Sequence, residues 1–116
     1  MSTLNVDHIK YNVKQIVLTE NDTYDLLPSD DIIEISGDFT LTLNLPLISS
    51  LPNAQKRYMV SRVSGTGVVT LATDDTGGDD DKVNGNADTL SPITSTLLKP
   101  THVYVAGTNA WTALEY

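Results

Sequence analysis

The sequence predicts an all-β fold, a small antiparallel β-sandwich or barrel-like domain with an extended N-terminal arm. Short segments alternate apolar and polar residues, as strands with one buried face do. Clusters of turn residues separate these segments about every ten positions. No segment of the chain carries the apolar period of about 3.6 residues that is typical of a long helix.

Residues 1–29 are predicted to form the N-terminal arm or an edge strand, and residues 30–116 the β domain. LNVDHI and VKQIVL are short apolar stretches, and their β-branched residues and missing caps favour extended structure over a helical turn. Pro28, Ser29 and Asp30 form the turn that ends this first segment.

The clearest strand is FTLTLNL, at positions 39–45. One face carries the apolar side chains of Phe39, Leu41, Leu43 and Leu45. The other face carries the polar side chains of Thr40, Thr42 and Asn44. Gly37 and Asp38 separate this strand from IIEIS and predict a tight hairpin, and Pro46 ends the strand or places it at an edge.

Two further hairpins are predicted downstream. RYMVSRV and VVTLAT are joined by SGTG at positions 64–67, and HVYVAG and AWTALEY are joined across Gly107, Thr108 and Asn109. The stretch between them, at positions 73–88, is rich in aspartate, asparagine and glycine and predicts a long surface loop. No internal repeat is evident.

The composition excludes several classes of function. A net charge of −8 over 116 residues repels phosphate backbones, so no nucleic acid is expected as a partner. The lack of cysteine excludes disulfides and thiolate metal sites. There is no leader-like apolar segment and no run long enough to span a bilayer, so we expect a soluble protein that is made in the cytoplasm and does not contact membranes.

No constellation of residues indicates an enzyme or a cofactor. His8 and His102 stand alone, and no serine lies in a nucleophile elbow. Asp74, Asp79 and Asp81 suggest a cation site, but no glutamate closes the loop as it does in an EF-hand. A solvated, mutually repelling loop is the preferred interpretation, with no metal bound.

The order of the segments carries a resemblance. From Asp30 to the C-terminus the segments follow in this order: DDIIEIS, FTLTLNLP, SSLPNAQKRYMVSRV, SGTGVVTLA, KVNGNADTL and AGTNAWTAL. In this order, that part of the chain resembles a small β domain of tailed-bacteriophage virion proteins. Such domains occur in tail-fibre tips, head fibres and capsid-decorating subunits. The chain departs from the family pattern at three places: Val83-Asn84-Gly85 replaces Ile-Asp-Gly, Ala110 separates Asn109 from Trp111, and Asn53-Ala54 replaces Pro-Gly or Asn-Gly.

The resemblance implies a homotrimer located in the virion, whose other partner is the major capsid protein or another virion protein. The first hypothesis is a capsid decoration (cement) or head-fibre subunit that binds the outer capsid surface. The N-terminal segment would anchor it by adding a strand to a sheet edge, through Leu4, Val6, Ile9, Val13 and Ile16. Five residues are expected in the trimer seam or the core: Phe39, Leu41, Leu43, Leu45 and Trp111.

Two other hypotheses belong to different classes of function. A tail-fibre tip or receptor-binding module would recognise host surface carbohydrate through Asp79, Asn84, Asn86 and Trp111. A carbohydrate hydrolase is not expected, because no pair of carboxylates is marked out by the sequence.

Overall fold

The computed structural model describes residues 10–52, 55–73, 81–85, 89–93 and 100–115. These residues form ten strands and one short 3₁₀ turn. The elements are β1 Val13–Val17, β2 Asp22–Asp25, β3 Ile32–Ser36, β4 Leu41–Asn44, the 3₁₀ turn Ile48–Ser50, β5 Arg57–Arg62, β6 Val69–Ala72, β7 Lys82–Val83, β8 Thr89–Ile93, β9 Thr101–Gly107 and β10 Ala110–Glu115. The prediction of an all-β chain is confirmed.

The strands lie in two sheets. The six-stranded sheet has the order β1-β3-β5-β9-β10-β7, and the four-stranded sheet has the order β2-β4-β6-β8. From β1 to β6, successive strands alternate between the two sheets, and each strand from β3 to β6 pairs in parallel with the second strand before it. The chain therefore winds in coils, as in a parallel β-helix with two sheets. The expected antiparallel arrangement is wrong for this part of the chain.

Two of the three predicted hairpins are also wrong, because β3 and β4 belong to different sheets, as do β5 and β6. The glycines between these strands form corners of the coil instead. Gly37 has a φ of +103°, and a Cβ there would lie 2.5 Å from the carbonyl oxygen of Leu18 in the coil before. Glycine thus allows one coil to stack closely on the next. The third hairpin is confirmed, since β9 and β10 pair in antiparallel fashion.

The first two coils repeat at a spacing of 19 residues. Gln15 donates from Nε2 to Glu34 Oε1, and Asn44 donates from Nδ2 to Asp25 Oδ1, each pair being 19 residues apart. Thr23 and Thr42 occupy equivalent positions in β2 and β4. The repeat is not evident in the sequence, because most side chains differ between the coils.

The segment predicted as an N-terminal arm contributes edge strands to both sheets. β1 pairs with β3, and β2 pairs with β4. Backbone hydrogen bonds also hold the end of β1 and the start of β2. Leu18 N, just after β1, donates to Ser36 O, and Asp22 N donates to Thr40 O. For residues 13–25 the structure therefore shows the edge-strand alternative rather than a projecting arm. Residues 1–9 lie outside the described part of the chain.

One apolar cluster holds the two sheets together. Its members come from both sheets and the loops between them: Leu18, Leu26, Ile33, Ile35, Leu41, Leu43, Leu45, Ile48, Tyr58, Val60, Val69, Leu71, Val83, Val103 and Trp111. The inner faces of the strands are thus occupied by the core. The outer faces and the edges of the sheets are the surfaces through which this chain can meet a partner.

Candidate interaction surfaces

Most of the predicted seam residues lie in the core of the single chain. Leu41, Leu43 and Leu45 are buried, and Trp111 is only 1% exposed. The Trp111 ring packs against Tyr58 with 5.9 Å between ring centroids. Phe39 is separated from this group, because it precedes β4 and is exposed. The four buried residues therefore stabilise the protomer, and a contact between copies has to use other side chains.

The predicted anchoring residues are divided by the structure. Val13 and Ile16 lie on β1, at the edge of the six-stranded sheet, whereas Leu4, Val6 and Ile9 lie outside the described residues. Ile16 packs against the core. Val13 and Val17 are exposed, Val17 to 73%. Exposed valines on an edge strand give β1 an apolar rim.

The candidate cation ligands do not form a site in the described part of the chain. Asp74 and Asp79 lie outside it. Asp81 is 1% exposed, and its two carboxylate oxygens accept hydrogen bonds from Ile48 N (2.9 Å) and Asn109 Nδ2 (3.1 Å). No group of three possible metal ligands occurs among the described residues. Asp81 instead ties the 3₁₀ turn to the β9–β10 hairpin.

Two of the predicted carbohydrate-binding residues, Asp79 and Asn86, lie outside the described residues. The other two, Trp111 and Asn84, make contacts within the chain. Trp111 is buried, so its ring is not available to stack on a sugar. Asn84 has a φ of +50°, and its side chain pairs with the backbone of Ala113, accepting from N (2.9 Å) and donating to O (3.1 Å). Asn84 thus extends the pairing of β7 with β10.

A polar cluster joins the β2–β3 loop, where the sequence predicts only a turn, to neighbouring elements. Asp30 is buried, and its Oδ2 accepts hydrogen bonds from Tyr24 Oη (2.7 Å) and Leu27 N (2.9 Å). Lys56 Nζ donates to the Asp30 carbonyl and to Asp31 Oδ1, the latter at 3.0 Å. Asp30 and Asp31 thereby connect β2 to the start of β5.

The electrostatics of this cluster follow from burial and hydrogen bonding. Burial, together with the hydrogen bond and negative charge of Asp30, raises the pKa of Tyr24 to about 12. Burial raises the pKa of Tyr58 as well, and its hydroxyl donates to Leu27 O at 2.9 Å. Burial opposes ionisation of Asp31, but the Asn12 amide and the Lys56 ammonium outweigh it and lower the pKa of that carboxyl. The cluster has the features of a structural clamp.

A cavity of about 310 Å³ lies beside β5 and β9. It is lined by Gln55, Lys56, Arg57, Tyr104 and Val105. The Arg57 guanidinium carbon lies 5.7 Å from the centroid of the Tyr104 ring, within the range of a cation–π contact. An aromatic ring beside a guanidinium group and an amide side chain can bind a polar ligand that has one apolar face.

No protein-family model matches this chain, and neither a curated protein nor a solved structure matches it. No helix in the described segments is long and apolar enough to cross a membrane.

Proposed function

We propose that this chain is a bacteriophage virion structural protein, a homotrimeric capsid decoration (cement) or head-fibre subunit that binds and stabilises the outer capsid surface. The order of sequence motifs that resembles virion β domains supports the proposal. In this proposal the two sheets form a sandwich-like block. The binding partner is the major capsid protein or another virion protein.

The observation that carries the proposal is the edge of β1. Within the described part of the chain, β1 is the terminal strand of the six-stranded sheet and pairs with β3 alone. The edge of a sheet offers unpaired N–H and C=O groups to a strand from another chain. Three residues, 10–12, separate β1 from residues 1–9, which include the predicted anchoring residues Leu4, Val6 and Ile9. Strand addition at β1 would therefore take place close in sequence to the predicted anchoring residues.

The two sheet edges at this end of the molecule differ in charge. β2, the edge strand of the four-stranded sheet, has the sequence DTYD, whereas β1 has the sequence VKQIV and no acidic residue. Charged side chains are a common device that keeps an edge strand from pairing with other chains. Two of the four residues of β2, Asp22 and Asp25, are charged, against one of the five residues of β1, Lys14. The β2 edge is thus the more strongly protected of the two, and β1 is the better candidate for strand addition.

Co-sedimentation with purified capsids tests the proposal. The full chain is expected to sediment with capsids of the virus that encodes it. Deletion of residues 1–9, or Val17→Lys at the β1 edge, should weaken binding by about tenfold, the typical effect of one important interface side chain. Thr42→Lys on the four-stranded sheet is the matched control and should bind normally. A full-length chain that does not bind capsids would refute the proposal.

A second candidate, a receptor-binding module that recognises host carbohydrate, is favoured by one observation, the cavity beside β5 and β9. Its aromatic lining residue, Tyr104, can stack on a sugar ring where the buried Trp111 cannot. Binding on a glycan array that is lost in Tyr104→Ala would support this function. Binding that persists unchanged in that variant would exclude the cavity as the carbohydrate site.

A further inference from the structure

The outer face of the six-stranded sheet carries a row of largely apolar side chains. Cross-strand pairing aligns one residue from each of five strands, namely Val13, Ile32, Met59, His102 and Leu114. We refer to these five as the central row. The row runs across the strands, parallel to the direction in which the coils stack.

Strand geometry shows that the central row points away from the core. Side chains alternate between the two faces of a strand, and the neighbours of Met59, Tyr58 and Val60, are buried in the core. The two ends of the row are the most open, with Val13 50% and Leu114 45% exposed. Ile32, Met59 and His102 are half-buried. The row therefore lies on the surface of the single chain.

The two sides of the central row carry opposite charges. Two residues before the row on β5 is Arg57, which packs over Tyr104 on the neighbouring strand β9. Two residues after the row on β3 is Glu34, which accepts a hydrogen bond of 3.3 Å from Gln15 on β1. Arg57 thus places a positive charge on one flank and Glu34 a negative charge on the other.

The outer face of the four-stranded sheet is different. Its strands align Thr23, Thr42 and Thr70 in one row. The adjacent row includes Asp25 and Asn44, whose side chains form a hydrogen bond of 2.7 Å. Polar rows of this kind are typical of a sheet face that is exposed to water. An apolar row on the opposite side of the molecule is instead typical of an interaction surface.

We propose that the central row is the contact surface between copies of this chain. Copies with a net charge of −8 repel one another, so association is favoured where a surface is locally neutral. The central row meets that condition, since Glu34 and Arg57 balance. The geometry is also self-complementary: a rotation axis parallel to the row brings the Arg57 flank of one copy against the Glu34 flank of the next. The number of copies, three, rests on the proposed function.

Measuring the mass of the assembly in solution, without capsids, tests this surface. Light scattering after size exclusion should give three times the 12.6 kDa of one chain. Met59→Lys and Leu114→Lys each place a charge in the central row and should shift the mass to that of a monomer, with unchanged circular dichroism. Thr42→Lys on the opposite face is the matched control and should keep the mass of the wild type.

A charge exchange separates contact between copies from a folding defect. Within one chain, Arg57 and Glu34 lie on opposite sides of the central row. Arg57→Glu or Glu34→Arg alone should raise the concentration at which the assembly dissociates, and the double variant should restore association. Restoration would require the two flanks to meet between copies, and a double variant that is weaker than both single variants would contradict the arrangement.

The outcomes separate this proposal from the function. A wild-type chain that stays monomeric, or central-row variants that keep the assembled mass, would overturn the contact surface even if the chain binds capsids. A dimer that the same substitutions dissociate would keep the surface and overturn the homotrimer. An intact trimer that does not bind capsids would be consistent with the contact surface and would refute the decoration function.

Discussion

Gly65 shows at the scale of one residue how tightly the coils stack at their corners. Its φ is +82°, and a Cβ there would overlap the carbonyl oxygen of Gly37. Gly85 has a similar φ of +78°, but no atom lies within 4 Å of its Cβ position. We predict that Gly65→Ala lowers the free energy of unfolding by about 2–3 kcal/mol and Gly85→Ala by about 1 kcal/mol. Urea denaturation measures both, and equal losses would contradict the overlap.

Asp81 shows what the sequence could not reveal about a single carboxylate. In the sequence it belongs to a run of acidic residues, but in the structure it is buried and accepts the Ile48 N–H. We predict that Asp81→Ala destabilises the chain by about 1–3 kcal/mol, because that amide loses its acceptor inside the protein. Asp38, which accepts from Thr66 N at an exposed position, is the control. Since water can replace its oxygen, Asp38→Ala should cost clearly less in urea denaturation.

At the scale of the elements, the sequence predicts strands better than it predicts their partners. Alternation of apolar and polar residues, as in β4, is the same in parallel and antiparallel sheets whenever one face is buried. A glycine between two strands, such as Gly37, suits both a hairpin and a corner between sheets. The recurrence of Thr23 and Thr42 at the coil spacing was the available signal, but two equivalent residues do not establish a repeat.

The clamp at the β2–β3 loop makes the stability of the fold depend on pH in the alkaline range. The pKa of Tyr24 is raised from 10.0 to about 12 in the folded chain. Below about pH 10 the tyrosine is protonated in both states, and between about pH 10 and 12 it is mainly the unfolded state that releases the proton. The contribution of this pKa shift to the free energy of unfolding is therefore lost as the pH rises from about 10 to about 12.

Tyr24→Phe is predicted to reduce this alkaline loss of stability. The slope of unfolding free energy against pH, from urea denaturation between about pH 9 and 11.5, should be shallower than in the wild type. It should not vanish, because Tyr58 has a raised pKa as well. Tyr11→Phe, at a side chain that is 60% exposed, is the control. If both variants have the same slope, the Tyr24–Asp30 hydrogen bond does not govern the alkaline response.

At the scale of the whole molecule, the sequence predicts the class of fold and the nature of the core. The core consists mainly of leucine, isoleucine and valine, as a chain with one tryptophan and one phenylalanine requires. The winding of the coils was not predictable, because it depends on pairing between strands that are distant in sequence. The central row could not be predicted for the same reason: its five residues come from five strands, and only the winding aligns them.

The net charge of −8 leads to a prediction about the whole molecule. At an ionic strength of 0.01 M the screening length is about 30 Å, so acidic groups throughout a chain with a radius of gyration of 15.0 Å repel one another. At 0.15 M it is about 8 Å, and most of this repulsion is screened. The ion pair among the described residues, Lys56 with Asp31, opposes this effect only slightly.

We therefore predict that the unfolding temperature rises by about 3–5 °C between 0.01 M and 0.15 M sodium chloride, which corresponds to about 1 kcal/mol. Calorimetry at fixed protein concentration measures the change. Salt also favours association of like-charged copies, so Met59→Lys, which is expected to be monomeric, should be measured in parallel. A rise in both proteins reflects repulsion within one chain, whereas a rise in the wild type alone arises from the contact between copies. An unfolding temperature that falls with salt in both would mean that attractive charge pairs, rather than the excess of acidic residues, dominate the electrostatics of the fold.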